Sequence, residues 1–186
     1  AEFASALAGL CNLDKAANIE LTYSDVNAET QYVDSIYAVG VANLMVGSDN
    51  MFRPEEEITF NQAAKAVVTA LGYDGIANSK GGYPEGFYST ALQLDLTTGA
   101  GRDSALTRYD VVTLMAKACE IDIMQVIGVE TDDVIFSVSE GKNILGVYHN
   151  IRKIEAQLKD DGLTNIKGKS QNPGNNVIIG DIRLEN

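Results

Sequence analysis

The sequence predicts an α+β protein, with a mainly helical part built from repeated two-helix units followed by a small all-β domain. Three observations support this prediction. One amphipathic helix pattern occurs three times, a second helix pattern occurs twice, and beyond Ile123 the apolar residues change to the alternation of β-strands. With 186 residues, of which 45% are hydrophobic, the chain is long enough to bury a core.

The first helix pattern is clearest between Ile58 and Gly72. Thr59 and Gln62 have the spacing of a capping box, and Gly72 stands where a helix-ending glycine is expected. The apolar positions of this helix have the spacing of a single buried face, and they are Ala64, Val67, Val68 and Leu71. The same pattern occurs 48 residues later, where the cap and the apolar face are Thr107, Asp110, Val112, Met115, Ala116 and Cys119. The apolar face also occurs 60 residues earlier, as Ala4, Leu7, Ala8 and Cys11.

The second helix pattern lies upstream of the first and repeats with an offset of 55 residues. Its positions are Tyr32, Ile36, Val39 and Val41, and the corresponding ones are Phe87, Ala91, Leu94 and Leu96. We expect the earlier copy to form a helix over residues 28–39, with Asp25 or Asn27 as its cap.

These patterns divide the chain into four parts. Residues 1–18 hold the last helix of a truncated unit, 19–77 a complete unit, 78–124 a shortened unit and 125–186 the β domain. Because the chain begins inside a helix, we expect it to be a fragment whose export signal lies elsewhere.

The β domain is predicted from short strands and turn signals. Val134–Val138 is rich in β-branched residues, Ser139–Asn143 reads as a turn, and residues 151–159 alternate as a half-buried strand does. Asp160-Asp161-Gly162 is a hairpin turn signal, and Leu163, Ile166 and Val177–Ile179 belong to further short strands. A small barrel or meander is the expected arrangement.

Composition excludes several classes of function. The net charge of −12 argues against binding nucleic acid or anionic membrane surfaces, because both require positive charge on the protein. No apolar run approaches the length of a membrane span. Cys11 and Cys119 occupy one slot of the repeat and read as small buried residues, with a disulfide between them as the alternative.

Catalysis has no positive sign in the sequence. We find no P-loop, dinucleotide fingerprint, zinc motif or nucleophile elbow, so neither a cofactor nor a metal is expected. His149, the single histidine, reads as structural. A hydrolase acting on wall glycans remains an alternative, although no pair of carboxylates is singled out by its spacing.

Arg108 is the most informative candidate for binding. It lies in the first turn of a helix, where the dipole and free N–H groups favour an anion and disfavour a cation. One interpretation is a surface arginine paired with Asp110 or Asp103. The other is a carboxylate-binding site made by the guanidinium group and the helix start. For Gly47–Asn50 the alternatives are a groove-lining loop and a turn chosen for its backbone angles, and the loop lacks the spacing of a calcium site.

Several linked elements resemble the S-layer homology (SLH) repeat of bacterial cell-surface proteins. They are Tyr23-Ser-Asp25-Val26, Tyr32 to Val41, Gly47-Ser-Asp-Asn-Met-Phe52-Arg-Pro54, Ile58-Thr59 and Leu106-Thr107-Arg108-Tyr109-Asp110. The opening Ala1-Glu2-Phe3 is similar to the end of the family's Thr-Arg-Ala-Glu motif. The resemblance covers about residues 1 to 122. It implies three units around a pseudo-threefold axis, with ligand grooves between them and no reaction.

The resemblance also implies a function, namely anchoring of an extracellular surface protein to the cell wall through an anionic, pyruvylated secondary polysaccharide. Arg108 would contact the polymer, Thr107 and Asp110 would shape its cap, and Thr59, Gly47 and Arg53 complete the candidate ligand-binding residues. Phe60 stands where the family has arginine, so the middle copy is expected to be silent or to use Arg53. The alternative is that the repeats have lost their ligands and act as spacers or contacts between surface-layer subunits.

Overall fold

The computed structural model describes residues 1–13, 23–130, 133–151, 153, 158–160, 177–179 and 182–184. The chain forms two compact units, Ala1–Ile151 and Arg152–Asn186. Helices and strands are both present, which confirms the α+β class.

The larger unit contains seven helices and two strands among its described residues. In chain order they are α1 (Glu2–Leu10), α2 (Val33–Val41), α3 (Phe60–Ala70), α4 (Asp74–Ser79), α5 (Glu85–Gln93), α6 (Arg108–Ala118), β1 (Asp122–Glu130), β2 (Asp133–Asn143) and α7 (Ile144–His149). Strands β1 and β2 form an antiparallel ribbon with two register shifts. In the smaller unit, β3 (Leu158–Asp160), β4 (Val177–Ile179) and β5 (Ile182–Leu184) form an antiparallel sheet in the order β3-β4-β5.

Helix α3 is the most deeply buried helix of the larger unit, and it matches the predicted pattern. All four positions of its predicted face are fully buried: Ala64, Val67, Val68 and Leu71. Thr59 and Gln62 form the predicted capping box, with Thr59 N donating to Gln62 Oε1 at 2.9 Å and Gln62 N donating back to Thr59 Oγ1. Gly72 follows the helix with φ +83°, and a side chain there would collide with the carbonyl oxygen of Met124.

The two sequence-equivalent helices differ from each other. In α1 the predicted face is buried, since Ala4, Leu7, Ala8 and Cys11 are 7% exposed or less. In α6 the capping box of Thr107 and Asp110 forms as predicted, but the predicted apolar face is only partly buried: Met115 packs against the core and Cys119 is half-buried. Val112 is 66% exposed and Ala116 is exposed, whereas Leu114 and Ala118 are fully buried. The buried face of α6 is therefore rotated relative to those of α1 and α3.

Other elements depart from the expected boundaries. Helix α2 begins at Val33 rather than near residue 28, because residues 27–30 form a turn in which Glu29 N donates to Asn27 Oδ1. The turn expected at residues 139–143 is wrong, since β2 continues to Asn143. The two compact units divide at residues 151/152, and the assignment of residues 125–186 to a β domain stays a prediction.

Several predictions of strands fall partly or wholly outside the described residues. The strand at Val177–Ile179 is confirmed as β4, and β3 overlaps the end of the alternating segment 151–159. Gly162, Leu163, Ile166 and residues 172–176 lie outside the described residues, so the predicted hairpin turn and meander remain predictions. Both cysteines are free, with Cys11 buried and Cys119 half-buried.

The orientation of α6 predicts that two nearby substitutions change the free energy of unfolding by very different amounts. Leu114→Ala removes a fully buried side chain, so it should lower the free energy of unfolding by about 2–5 kcal/mol. Val112→Ala changes a solvent-exposed residue and should alter it by less than about 0.5 kcal/mol. Urea denaturation followed by circular dichroism measures both. A larger loss for Val112→Ala than for Leu114→Ala would contradict the observed orientation of α6.

Candidate ligand-binding site

The starts of α1 and α6 are joined by an ion pair between Arg108 and Glu2. Arg108 Nη2 donates to Glu2 Oε1 at 2.6 Å and Arg108 Nε donates to Glu2 Oε2 at 3.1 Å, which is bidentate geometry. The two partners expected for Arg108 make other hydrogen bonds. Asp110 accepts from Thr107 N, and Asp103 accepts from Asn61 Nδ2. The sequence did not indicate Glu2 as the partner, because it is 106 residues away from Arg108 in the chain.

The pair is open to solvent, since the Arg108 side chain is 86% exposed and that of Glu2 56%. The hydrogen bond from Arg108, and then its positive charge, hold the pKa of Glu2 below its ordinary value. The same hydrogen bond raises the pKa of Arg108. Because both groups remain charged and accessible, salt and competing anions have direct access to this pair.

Thr107 and Asp110 act as the cap of α6. Asp110 Oδ2 accepts from Thr107 N at 2.9 Å and from Thr107 Oγ1 at 2.5 Å, while Asp110 N donates to Thr107 Oγ1 at 3.2 Å. The Thr107 hydroxyl, followed by its backbone N–H, lowers the pKa of Asp110. These two residues therefore fix the backbone from which Arg108 extends.

A groove of about 500 Å³ lies between α1 and α2. Ser5 and Asn12 line it from α1 and the following turn, and Tyr32 and Asp34 line it from the start of α2. None of these groove residues is predicted from the sequence as a binding residue, because the pattern at Tyr32 indicates only helix periodicity.

A second groove of about 310 Å³ contains two of the predicted binding residues, Gly47 and Arg53. Gly47 has φ +66°, and a Cβ there would lie 2.2 Å from Met51 O, so the turn requires glycine. Lys65 and Tyr83 also line this groove, with the Lys65 ammonium 5.6 Å from the centre of the Tyr83 ring. Sequence reasoning missed these two residues because they belong to different predicted units.

Arg53 is held by its own loop. Its Nη1 donates to Ser48 Oγ at 2.7 Å, and its guanidinium group lies 3.5 Å from Asp49 Oδ2 and 3.7 Å from Glu56 Oε1. With two carboxylates beside it, Arg53 adds little net positive charge to the groove. The remaining predicted residue, Thr59, caps α3, and its backbone forms an isolated antiparallel β-bridge with Ala105. Phe60, which stands where the resemblance leads us to expect arginine, is buried edge-on against Tyr88.

Asp25 fixes the loop Gly47–Arg53 from a distance in sequence. Its carboxylate accepts from Phe52 N at 2.8 Å and from Arg53 N at 2.7 Å, and Ser24 N donates to Asn50 O at 2.8 Å. Desolvation raises the pKa of Asp25, but the backbone hydrogen bonds outweigh it and the net shift is downward. The prediction that Asp25 caps α2 is therefore wrong, and its role is to anchor this loop.

The remaining candidate groups are structural. A ring nitrogen of His149 lies 2.8 Å from Leu10 O, which links α7 to α1 as expected for a structural histidine. Burial raises the pKa of the Cys11 thiol to about 11.

Within the described part of the chain, no cluster of three or more His, Cys, Asp or Glu side chains could hold a metal ion. None of the described helices has the length and apolar composition of a membrane span.

Two curated proteins are similar to most of this chain. One is the "Middle cell wall protein" of Brevibacillus brevis, 27% identical over 137 residues, which are 71% of this chain and 13% of that protein. The other is the "Surface layer protein" of Brevibacillus choshinensis, 23% identical over 137 residues, which are 71% of this chain and 12% of that protein. The chain thus spans about an eighth of the length of these relatives. No protein-family model matches the sequence.

These similarities support an association with the bacterial surface layer and an extracellular location at the cell wall, as the sequence predicts.

The anchoring role of Asp25 predicts local loosening when its carboxylate is removed. In Asp25→Ala, the amide protons of Phe52 and Arg53 should exchange faster with solvent and the melting temperature should fall by several degrees. Asp25→Asn keeps one acceptor and should be intermediate. Because folding lowers the pKa of Asp25, its contribution is complete above its unfolded pKa of about 4 and is lost as the pH falls through the lowered value.

The difference in melting temperature between wild type and Asp25→Ala should therefore narrow as the pH is lowered from about 7 to about 3. Hydrogen exchange by NMR and thermal melts at both pH values measure these effects. Unchanged exchange at Phe52 and Arg53 would show that the loop does not depend on Asp25.

Proposed function

We propose that this chain is a non-catalytic module of a cell-wall or surface-layer protein that binds an anionic, pyruvylated secondary cell-wall polysaccharide. The observation that carries the proposal is the bidentate pair of Arg108 and Glu2, in which an exposed guanidinium group already holds a carboxylate. The similarity to cell-wall and surface-layer proteins supports the same role.

The chemistry of Arg108 suits a carboxylate ligand. A guanidinium group has five N–H donors, and Glu2 accepts from the edge formed by Nε and Nη2. The opposite edge, at Nη1, is directed away from this contact. A pyruvate carboxylate has two binding modes at this residue, because it can add at the Nη1 edge or replace Glu2.

The groove between α1 and α2 is the best location for the attached sugar. Ser5 borders this groove one helical turn along α1 from Glu2, which pairs with Arg108, so the start of α1 connects the groove with the guanidinium group. Its lining of small and polar side chains offers hydroxyl and amide groups for the sugar hydroxyls. The groove that contains Gly47 and Arg53 is a second candidate for contacts with the same polymer.

This proposal includes the assignment of the helical units as SLH repeats over residues 1–18, 19–77 and 78–124, with a β domain over residues 125–186. The matching capping boxes of α3 and α6 support this assignment, as do the equivalent buried faces of α1 and α3.

A second candidate function is that of a structural spacer or a contact between surface-layer subunits. Two observations favour it. Arg108 is paired with a residue of its own chain, and Phe60 is packed in the interior where the repeat has arginine. This candidate predicts self-association without affinity for the polysaccharide.

Removal of the Arg108 side chain tests the leading proposal. Arg108→Ala should reduce retention on purified pyruvylated wall polymer about tenfold or more, because it removes the charge-assisted hydrogen bonds to the carboxylate. Lys142→Ala, which removes an exposed positive charge elsewhere, should bind as the wild type does. Retention is measured in a pull-down at low and high salt, with depyruvylated polymer as the control ligand. Equal retention of wild type and Arg108→Ala would refute the role of Arg108.

Removal of the internal carboxylate tests whether Glu2 competes with the ligand. Glu2→Gln frees the Nε–Nη2 edge of Arg108 from an anionic partner, so polymer affinity should rise several-fold. Isothermal titration with a pyruvylated oligosaccharide measures the affinity, and Glu140→Gln is the control for removal of an exposed negative charge. Weaker or unchanged binding by Glu2→Gln would show that Glu2 does not compete with the ligand for Arg108.

A further inference from the structure

One face of α6 is exposed although it carries apolar residues. We name it the α6 face and define it by Tyr109, Val112, Ala116 and Glu120, the last of which lies in the turn that follows the helix. Tyr109 is 76% exposed and Val112 is 66% exposed, so the apolar part of this face is in contact with water. Exposed apolar side chains that lie side by side, unlike scattered ones, indicate an interaction surface.

The α6 face lies between two contacts that hold the flanks of the helix. On one flank Arg108 is bound to α1, and on the other Lys117 Nζ donates to Asp95 O at 2.9 Å, in the turn after α5. Arg108 and Lys117 are about two and a half turns apart, so they leave the helix on opposite sides. Tyr109 and Ala116 lie between these two sides. The helix is therefore fixed by its flanks while the face between them stays open.

The α6 face carries opposite charges at its two ends. Arg108 borders the face at the start of the helix, and Glu120 ends it about 18 Å further along the helix axis. The helix dipole has the same order, with its positive end at the start. Between the ends lie Val112 and Ala116, which are small enough for a second helix to approach to about 8 Å between axes.

This order of groups makes the face complementary to itself in one orientation. When two copies pack antiparallel about a two-fold axis, Val112 of one copy meets Ala116 of the other, and each end meets the end of opposite charge. In a parallel pair, by contrast, like charges would face each other at both ends. Charge complementarity therefore favours a second copy of this chain as the occupant of the face.

The contact of Arg108 with its own chain leaves room for a second carboxylate. Glu2 accepts from Nε and Nη2 of the guanidinium group, so a carboxylate from another molecule binds at Nη1. The exposed hydroxyl group of Tyr109 is a further donor at the same end of the face. Both donors suit the carboxylate of Glu120 from a second copy.

We propose that the α6 face is a contact between two copies of this chain, in which the two α6 helices pack antiparallel about a two-fold axis. Val112 and Ala116 of each copy are buried against those of the other, and Glu120 of each copy binds Arg108 and Tyr109 of the other. The proposal rests on the second candidate function, contact between subunits, and specifies its surface. It does not depend on binding of the polysaccharide.

The contact is small and the dimer should be weak. Two helices that touch over about three turns bury less than the roughly 1,200 Å² of a standard interface, so the dissociation constant should be on the order of 0.1 mM. Each copy also carries a net charge of −12, and its repulsion of the other copy has to be screened by salt. Association is therefore expected at high protein concentration and moderate ionic strength.

Sedimentation equilibrium of the full 186-residue chain tests the proposal, at protein concentrations from about 10 μM to about 1 mM in about 0.15 M salt. The wild type should show a monomer–dimer equilibrium. Val112→Glu places a carboxylate in the apolar centre of the contact and should weaken association about tenfold or more. Ile127→Glu changes a residue of β1 with 65% exposure and should leave association unchanged. Thermal melting of both variants should match the wild type, which separates loss of the contact from loss of the fold.

Inversion of the charges tests the antiparallel arrangement. Glu120→Lys places like charges opposite each other at both ends and should weaken association several-fold. Arg108→Glu combined with Glu120→Lys restores opposite charges across an antiparallel pair but not across a parallel one, so it should recover association. Both are made in a Glu2→Gln chain, which is also their reference, so that the new carboxylate does not face a second one on α1.

Three results would overturn the proposal. They are a monomer mass at every concentration, a dimer that survives Val112→Glu, and no recovery of association on charge inversion. Because these measurements contain no polymer, they are independent of the pull-down with Arg108→Ala. Dimerisation without retention on the polymer would refute the polysaccharide proposal alone, and retention without dimerisation would refute this one alone.

Discussion

The burial of α3 is the constraint on which the larger unit depends. The positions Ala64, Val67, Val68 and Leu71 exclude solvent completely, and the small side chain of Ala64 lets neighbouring elements approach closely. Helix α5 packs on this helix, and the ribbon that starts at β1 is tied to its end through Met124 N, which donates to Leu71 O at 2.9 Å. The other interactions are arranged around a helix in which seven of eleven residues are buried.

Local features of the fold were predictable from the sequence, and long-range ones were not. The capping boxes at Thr59 and Thr107 depend on residues three apart, so spacing alone identifies them. The orientation of α6 depends on which neighbours cover it, which is why Val112 is exposed despite its apolar character. The candidate site also combines a local feature with a long-range one. The sequence pattern predicts Arg108 as a binding residue, but only the folded chain brings Arg108 and Glu2 together.

The two candidate functions differ in what they require of Arg108. Binding of an acidic glycan uses the guanidinium group as a receptor, whereas a spacer role uses it to fasten α6 to α1. Both uses depend on the same cap, because Thr107 and Asp110 set the direction in which Arg108 leaves the helix. Under either candidate function, the position of the Arg108 guanidinium group is thus set by the same two residues.

The packing of helices in the larger unit has a direction along the chain, because α2 packs on α1 and α5 packs on α3, so in both pairs the covering helix is the later one. A head-to-tail contact of this kind is heterologous, so a row of units always ends with one uncovered helix unless the row closes into a ring. In this chain the segment after α6 continues as the ribbon of β1 and β2 instead of a further helical pair. No later helix of this kind lies between α6 and the ribbon, so Val112 and Ala116 stay exposed to solvent.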